Sequence, residues 1–126
     1  MAETPAIIGN WEWDLVHDQF WVCDEVCRIF CRPKESFSGG IESIYAMLDW
    51  KDAQAIREAL PRVLKYQQAL SGQTRILCSS GYRNIHIRSE IVIDEEGTPV
   101  RIVGVVHDVT DRLQMDRLLR DNEKMF

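Results

Sequence analysis

Residues 83–93 alternate strongly between apolar and polar side chains. Ile85, Ile87, Ile91 and Ile93 share one parity, and His86, Arg88 and Glu90 share the other. A period of two sends the two sets to opposite sides of a strand, so this segment reads as a strand with one buried face. Such a strand cannot stand alone. Its apolar face needs a covering layer, and its backbone N–H and C=O groups need strands beside it. Residues 73–79 alternate in the same way, with Thr74, Ile76 and Cys78 on one side, and Val100–Val109 forms a long apolar strand. Asp94-Glu95-Glu96-Gly97 reads as the turn between the last two. Towards the N-terminus, Ile7, Trp11, Trp13 and Leu15 alternate with Asn10, Glu12 and Asp14. His17-Asp18-Gln19 then turns the chain into Phe20-Trp21-Val22, a second hairpin.

The segment between the hairpins is helical in pattern. Cys23–Cys31 has acidic residues, Asp24 and Glu25, in its first turn, where they suit the helix dipole. Its apolar side is Val26, Cys27, Ile29 and Phe30. Arg32-Pro33-Lys34-Glu35-Ser36 and Gly39-Gly40 interrupt regular structure before a short helix at Ile41–Leu48. Asp52 is expected to cap a longer helix over about 53–69, with Ile56, Ala59, Leu60, Val63, Leu64 and Gln67 on one face. Pro61 lies inside that pattern and predicts a kink or a break. A polar helix runs from about residue 110 to the end. Two strands, several helices and a three-stranded meander make an α+β domain: a five-stranded antiparallel sheet with short helices on one face and a C-terminal exit helix.

With 126 residues there is room for one ordinary domain. The net charge of −5 argues against nucleic acid as a partner, because phosphate binding needs a basic stripe. No apolar run approaches the ~18 residues of a membrane span, and the N-terminus lacks a signal peptide's basic and apolar blocks. The chain is therefore expected to be cytoplasmic, without direct membrane insertion. Its four cysteines read as reduced thiols. Cys23, Cys27 and Cys31 recur at helical spacing, but the outer two would stand ~12 Å apart, too far to share a metal. They read as small buried apolar thiols, with redox sensing as the sharper alternative.

Two stretches resemble a known family. Gly9-Asn10-Trp11-Glu12-Trp13-Asp14-Leu15 is similar to the Gly-x-Trp-x-Trp-Asp opening of one PAS subfamily. Asp94 to Arg112, Asp-Glu-Glu-Gly-Thr-Pro-Val-Arg-Ile-Val-Gly-Val-Val-His-Asp-Val-Thr-Asp-Arg, resembles the turn, core strand and Asp-Ile-Thr-Glu-Arg ending of the PAC segment that completes the PAS fold. The resemblance covers residues 8–120 or so. The chain departs from the family at Asp49-Trp50-Lys51-Asp52, where relatives carry His-Pro-Asp-Asp, and at Asn84, where the family often has Trp. It departs also at Cys31, which replaces a usual Gly, and at Pro61.

The resemblance implies a cavity between sheet and helices, walled by Ile56, Leu60 and Leu64 opposite Ile76, Cys78, Ile85, Ile87, Gly104 and Val106, with Thr74 and Ile102 on the same inner face. It implies a sensory module, of histidine kinase or diguanylate cyclase type, that binds a small ligand or partner. The alternative is a ligand-free module for dimerisation or docking. The ligand is not legible. Flavin photosensors of the fold carry Asn-Cys-Arg-Phe-Leu-Gln, of which Phe30-Cys31-Arg32-Pro33 keeps only Cys-Arg, and Val106 stands where they place a flavin-contacting Gln. Haem-binding relatives use a His on the long helix, and residues 53–70 contain none. The sequence thus argues against covalent flavin and against haem. It argues against catalysis too, since Cys78 is the only titratable group expected in the cavity and no nucleophile–base pair presents itself. Asp108 and Thr110, matching the residues that tie the PAS sheet to its output helix, are expected to transmit the signal. Met115, Leu118, Asn122 and Met125 fit the 3- and 4-residue steps of a coiled-coil seam. Residues 1–110 thus read as the PAS/PAC domain and 111–126 as a linker helix of a homodimer, leading to an output or further PAS domain in the same chain.

Overall fold

The structure is a computed structural model that describes residues 8–79 and 81–110. Five strands, β1 (Ile8–Asp14), β2 (Gln19–Val22), β3 (Ser71–Cys78), β4 (Gly81–Ile93) and β5 (Pro99–Asp108), form one sheet in the order β2-β1-β5-β4-β3. Every neighbouring pair is antiparallel. Helices α1 (Asp24–Phe30), α2 (Ile41–Tyr45) and α3 (Trp50–Tyr66), with a 3-10 turn at Lys34–Phe37, fill the connection from β2 to β3. The α+β class and the five-stranded antiparallel sheet expected from the alternation are those observed.

The register shows why the alternation works. Trp11 faces Gly104 and Val22, Trp13 faces Ile102 and Phe20, and Ile87 faces Val106. Directly opposed residues in an antiparallel sheet point to the same side, so these side chains line one inner face. The core forms between that face and the helices. Val26, Ile29 and Phe30 of α1 join Phe37, Tyr45, Leu48, Ile76, Ile85 and Val106 in one cluster, with Ile29, Ile76 and Ile85 fully sealed. Two glycines permit close approaches, one between sheet and helix and one inside the sheet. A Cβ at Gly9 would lie 2.6 Å from Val26 Cγ2, and one at Gly104 would overlap the Arg88 carbonyl and the Trp11 ring.

Several local expectations are corrected. Helix α3 begins three residues earlier than the capping argument placed it, because Asp49 caps it by accepting from Lys51 N at 3.0 Å. Asp52 instead accepts from Arg75 N at 2.9 Å and ties the helix to β3. The segment before the helix runs against the edge of β3, through a bridge from Leu48 to Ile76 and a bond from Asp49 N to Arg75 O of 2.8 Å. That pairing fixes where the helix starts, and it covers part of an otherwise open strand edge. Pro61 does not break α3. Pro61 and Arg57 are both exposed, so water can take the Arg57 carbonyl that loses its partner. The cysteine trio does not share a helix face: Cys23 is the N-cap of α1 and Cys31 its C-cap. Cys23 and Cys27 are half-buried and Cys31 is exposed, so the buried thiol is Cys78.

Candidate functional site

Between the sheet and the helices lies a cavity of about 100 Å³, lined by apolar surface only. The sheet contributes Trp11 and Trp13 from β1, Phe20 and Val22 from β2, Ile87 and Ser89 from β4, and Ile102 and Val106 from β5. Opposite them stand Val26 and Phe30 of α1, Phe37, Ile41, Ile44 and Tyr45 around α2, and Ile56, Leu60 and Val63 of α3. Leu48 and Leu70 complete the wall. Trp13 and Phe20 stack at 5.4 Å with an interplanar angle of 6°, and Phe30 meets Phe37 edge-on at 5.4 Å. The one hydroxyl on the sheet side, Ser89 Oγ, donates to Leu70 O at 2.9 Å and is spent on that bond. Burial raises the Tyr45 phenol above its ordinary value, so it stays neutral at physiological pH.

A single carboxylate sets the mouth. Asp18, in the turn between β1 and β2 with φ 50°, accepts from Trp13 Nε1 at 2.8 Å and from Ile41 N at 3.0 Å. It therefore holds an aromatic wall residue and the start of α2 with the same oxygen. Asp14 builds the turn itself, accepting from Val16 N at 2.9 Å and facing His17 Nδ1 at 2.7 Å. The His17 ring holds the Asp14 carboxyl below its ordinary value.

A second constellation lies where β5 ends. Asp108 Oδ1 accepts from Thr110 N at 3.0 Å, and Thr110 Oγ1 accepts from Asn84 N of β4 at 2.9 Å. Val109 N closes the junction by donating to Asn84 O at 2.9 Å. Arg83 reaches across: its Nη1 lies 3.7 Å from Asp108 Oδ2 and donates to Ile29 O at 3.3 Å and Arg28 O at 3.4 Å. The carbonyls at the end of α1 are thereby linked through one guanidinium to the exit of the sheet.

The profile of the PAS fold family matches residues 19–106 of the chain. The chain belongs to the PAS family. A comparison with curated protein sequences returns no match. Among solved structures, a sensory box histidine kinase/response regulator from Burkholderia thailandensis superposes with a TM-score of 0.72 at 23% identity, covering 95% of this chain and 90% of that one. The N-terminal domain of a diguanylate cyclase with PAS/PAC sensor from Marinobacter aquaeolei gives a TM-score of 0.75 at 15% identity, covering 83% and 97%. The LOV domain of the blue-light-activated histidine kinase from Erythrobacter litoralis EL346 gives 0.63 at 13% identity, covering 86% and 99%. At these identities the likeness is one of fold.

Within this PAS domain the expected site residues separate into groups. Ile56, Leu60, Ile87 and Val106 line the cavity. Leu64 does not; Val63, one residue earlier and 100° round the helix, takes its place. Ile76, Cys78 and Ile85 share the inner face but are packed into solid core away from the cavity. Gly104 lies under the Trp11 ring, at a shallow groove bounded by Trp21, Arg88 and Val103. Asp108 and Thr110 stand where β5 ends, while Met115, Leu118, Asn122 and Met125 lie outside the described residues. Sequence reasoning missed Asp18, Arg83 and Asn84. The turn position of Asp18 was its only available signal. Among the described residues no helix is long and apolar enough to cross a membrane, and no three His, Cys, Asp or Glu side chains converge on a metal site.

Proposed function

We propose that this PAS domain is a sensory module of a multidomain signalling protein, and that its cavity takes one small, uncharged, apolar molecule. The observation that carries the reading is the cavity: about 100 Å³, with only apolar surface inside. An engineered apolar void of roughly 150 Å³ stays dry and binds benzene, so this volume suits an occupant no larger than a single ring. An isoalloxazine or a porphyrin far exceeds it, and the wall turns no polar surface inward for their polar edges. The residues present do not fit flavin or haem. Output leaves through Arg83, Asp108 and Thr110 into the segment that follows, towards an output domain in the same chain. The domain acts by binding and passing on strain, with no chemistry of its own.

Titration with benzene and with toluene, followed by amide and methyl chemical shifts, tests the cavity. The expected result is saturable shifts at Ile44, Leu60, Ile87 and Val106, with the outer sheet face unmoved. Shifts absent for both probes, with no change under xenon pressure, would remove the ligand from the proposal. A second reading, a docking or homodimerisation module without ligand, is favoured by the outer sheet face. Ile8 and Trp21 are more than half exposed there.

A further inference from the structure

We propose that Cys31 and Cys78 are a redox-reversible pair, and that a disulfide between them is a covalent modification that locks the end of α1 onto β3. Helix α1 closes in a Schellman arrangement: Arg32 N donates to Cys27 O at 3.0 Å and Cys31 N to Arg28 O at 3.2 Å. Cys31 occupies the left-handed position of that motif, at φ 58° and ψ 39°. Glycine takes this conformation freely, whereas a side chain there is strained. The chain nonetheless places a thiol at this position and leaves it exposed.

The second thiol stands against the first. Cys78, the last residue of β3, is 6% exposed. Its Sγ lies 3.9 Å from Ile29 O and 3.7 Å from Phe30 O. Cys31 Sγ lies 4.0 Å from the same Ile29 O. The two sulfurs thus converge on one carbonyl oxygen from neighbouring elements, one open to solvent and one sealed behind it. Burial, together with the Cys31 thiol beside it, pushes the Cys78 thiol up to about 11. Gly81, paired with Cys78, has open space where a Cβ would stand. A disulfide between the two needs a Cα separation of roughly 4.4–6.8 Å.

The chemistry runs in two exchanges with a small-molecule disulfide such as oxidised glutathione. The exposed Cys31 thiolate attacks one sulfur of the oxidant, whose S–S bond breaks and releases one thiol. The Cys78 thiolate then attacks the Cys31 sulfur of the mixed disulfide and releases the second. Two protein thiols and one small disulfide become one protein disulfide and two small thiols, and excess thiol reverses both steps. The second step is set by the Cys78 thiolate fraction, so its rate rises about tenfold per pH unit up to that group's pKa.

Incubation of the full chain with oxidised glutathione between pH 7 and 9, acid quenching, intact mass measurement and peptide mapping test the pair. The expected product has lost two hydrogens and joins the Cys31 and Cys78 peptides, and it forms faster at higher pH. Cys78→Ala is expected to stop at a glutathione adduct on Cys31, and Cys23→Ser/Cys27→Ser to form the bond unimpaired. A wild-type chain that ends as the Cys31 adduct would overturn the proposal. So would a bond joining Cys23 and Cys27 instead. The readout is covalent and independent of any ligand, so its failure is distinguishable from failure of the cavity reading.

Discussion

Asp18→Ala removes one side chain and releases two elements of the cavity wall. Asp18 Oδ1 accepts from the partly buried Trp13 indole N–H at 2.8 Å and from the more open Ile41 amide at 3.0 Å. A hydrogen bond to a charged acceptor contributes about 1.5–3 kcal/mol, and an unpaired buried donor costs about 1–3 kcal/mol. Water can replace the partner of Ile41 N, so that bond counts towards the low end. The indole cannot be resolvated without opening the wall. The left-handed φ of 50° adds a few tenths of a kcal/mol, since Asp tolerates it better than Ala. The sum is a loss of about 3–5 kcal/mol, or a fall in Tm of roughly 15 °C for a chain of this length. Urea unfolding followed by tryptophan fluorescence measures it, with an unchanged slope as the check that the folded state survives. Trp13→Phe keeps the ring on Phe20 and deletes the donor, so in that background Asp18→Ala should cost about 1.5 kcal/mol less. A loss below about 0.5 kcal/mol for Asp18→Ala, or strict additivity of the two changes, would refute the clamp.

Two further outcomes follow from the packing and the thiol. Gly104→Ala forces a methyl into the Arg88 carbonyl and the Trp11 ring, an overpacking expected to cost about 2–3 kcal/mol. Gly72→Ala, with nothing within 4 Å of the new Cβ, should change the same urea midpoint little, and equal effects would show that the close approach is not limiting. Cys78, raised from 9.0 to about 11 in the fold, holds its proton where the unfolded chain has lost it. Its contribution is full below pH 9 and falls by on the order of 2 kcal/mol as the pH rises to 11. Stability measured against pH over that window should decline less steeply in Cys78→Ala. Parallel curves would mean that burial does not raise the thiol.

The elements that were legible in the sequence are those a local period specifies. A one-residue slip in β4 would throw Ile85 and Ile87 into water and His86 into the core, so alternation alone fixes which face is buried. The helix wall was half legible. The stripe from Ile56 to Gln67 is wide enough to contain both Val63 and Leu64, and only the docking of α3 decides between them. Asp52 was the capping candidate; the pairing of Leu48 with Ile76, a contact between distant residues, moves the helix start back so that Asp49 caps it instead. The cysteine spacing misled for a similar reason. A four-residue repeat aligns side chains only inside a helix, and α1 starts after Cys23 and ends before Cys31.

The same argument explains why the Arg83 link to the junction could not be read from the chain. Arg83 contacts Ile29 O and Asp108 across large sequence separations, and nothing local to Arg83 announces either bond. Yet the magnitudes fit a device that switches. The Arg83–Asp108 pair, partly exposed and 3.7 Å long, contributes about 1 kcal/mol or less. A void of 100 Å³ costs about 2.4 kcal/mol at about 24 cal/mol per Å³, which an occupant can return in part or in full. An occupant that fits one arrangement of wall and junction better than another therefore commands more free energy than the contact that must shift. That differential, and not tightness of binding as such, is what moves a two-state equilibrium. On the proposed reading, Arg83, between the carbonyl end of the cavity-lining α1 and the carboxylate at the sheet's exit, is the link that a small free energy would suffice to shift.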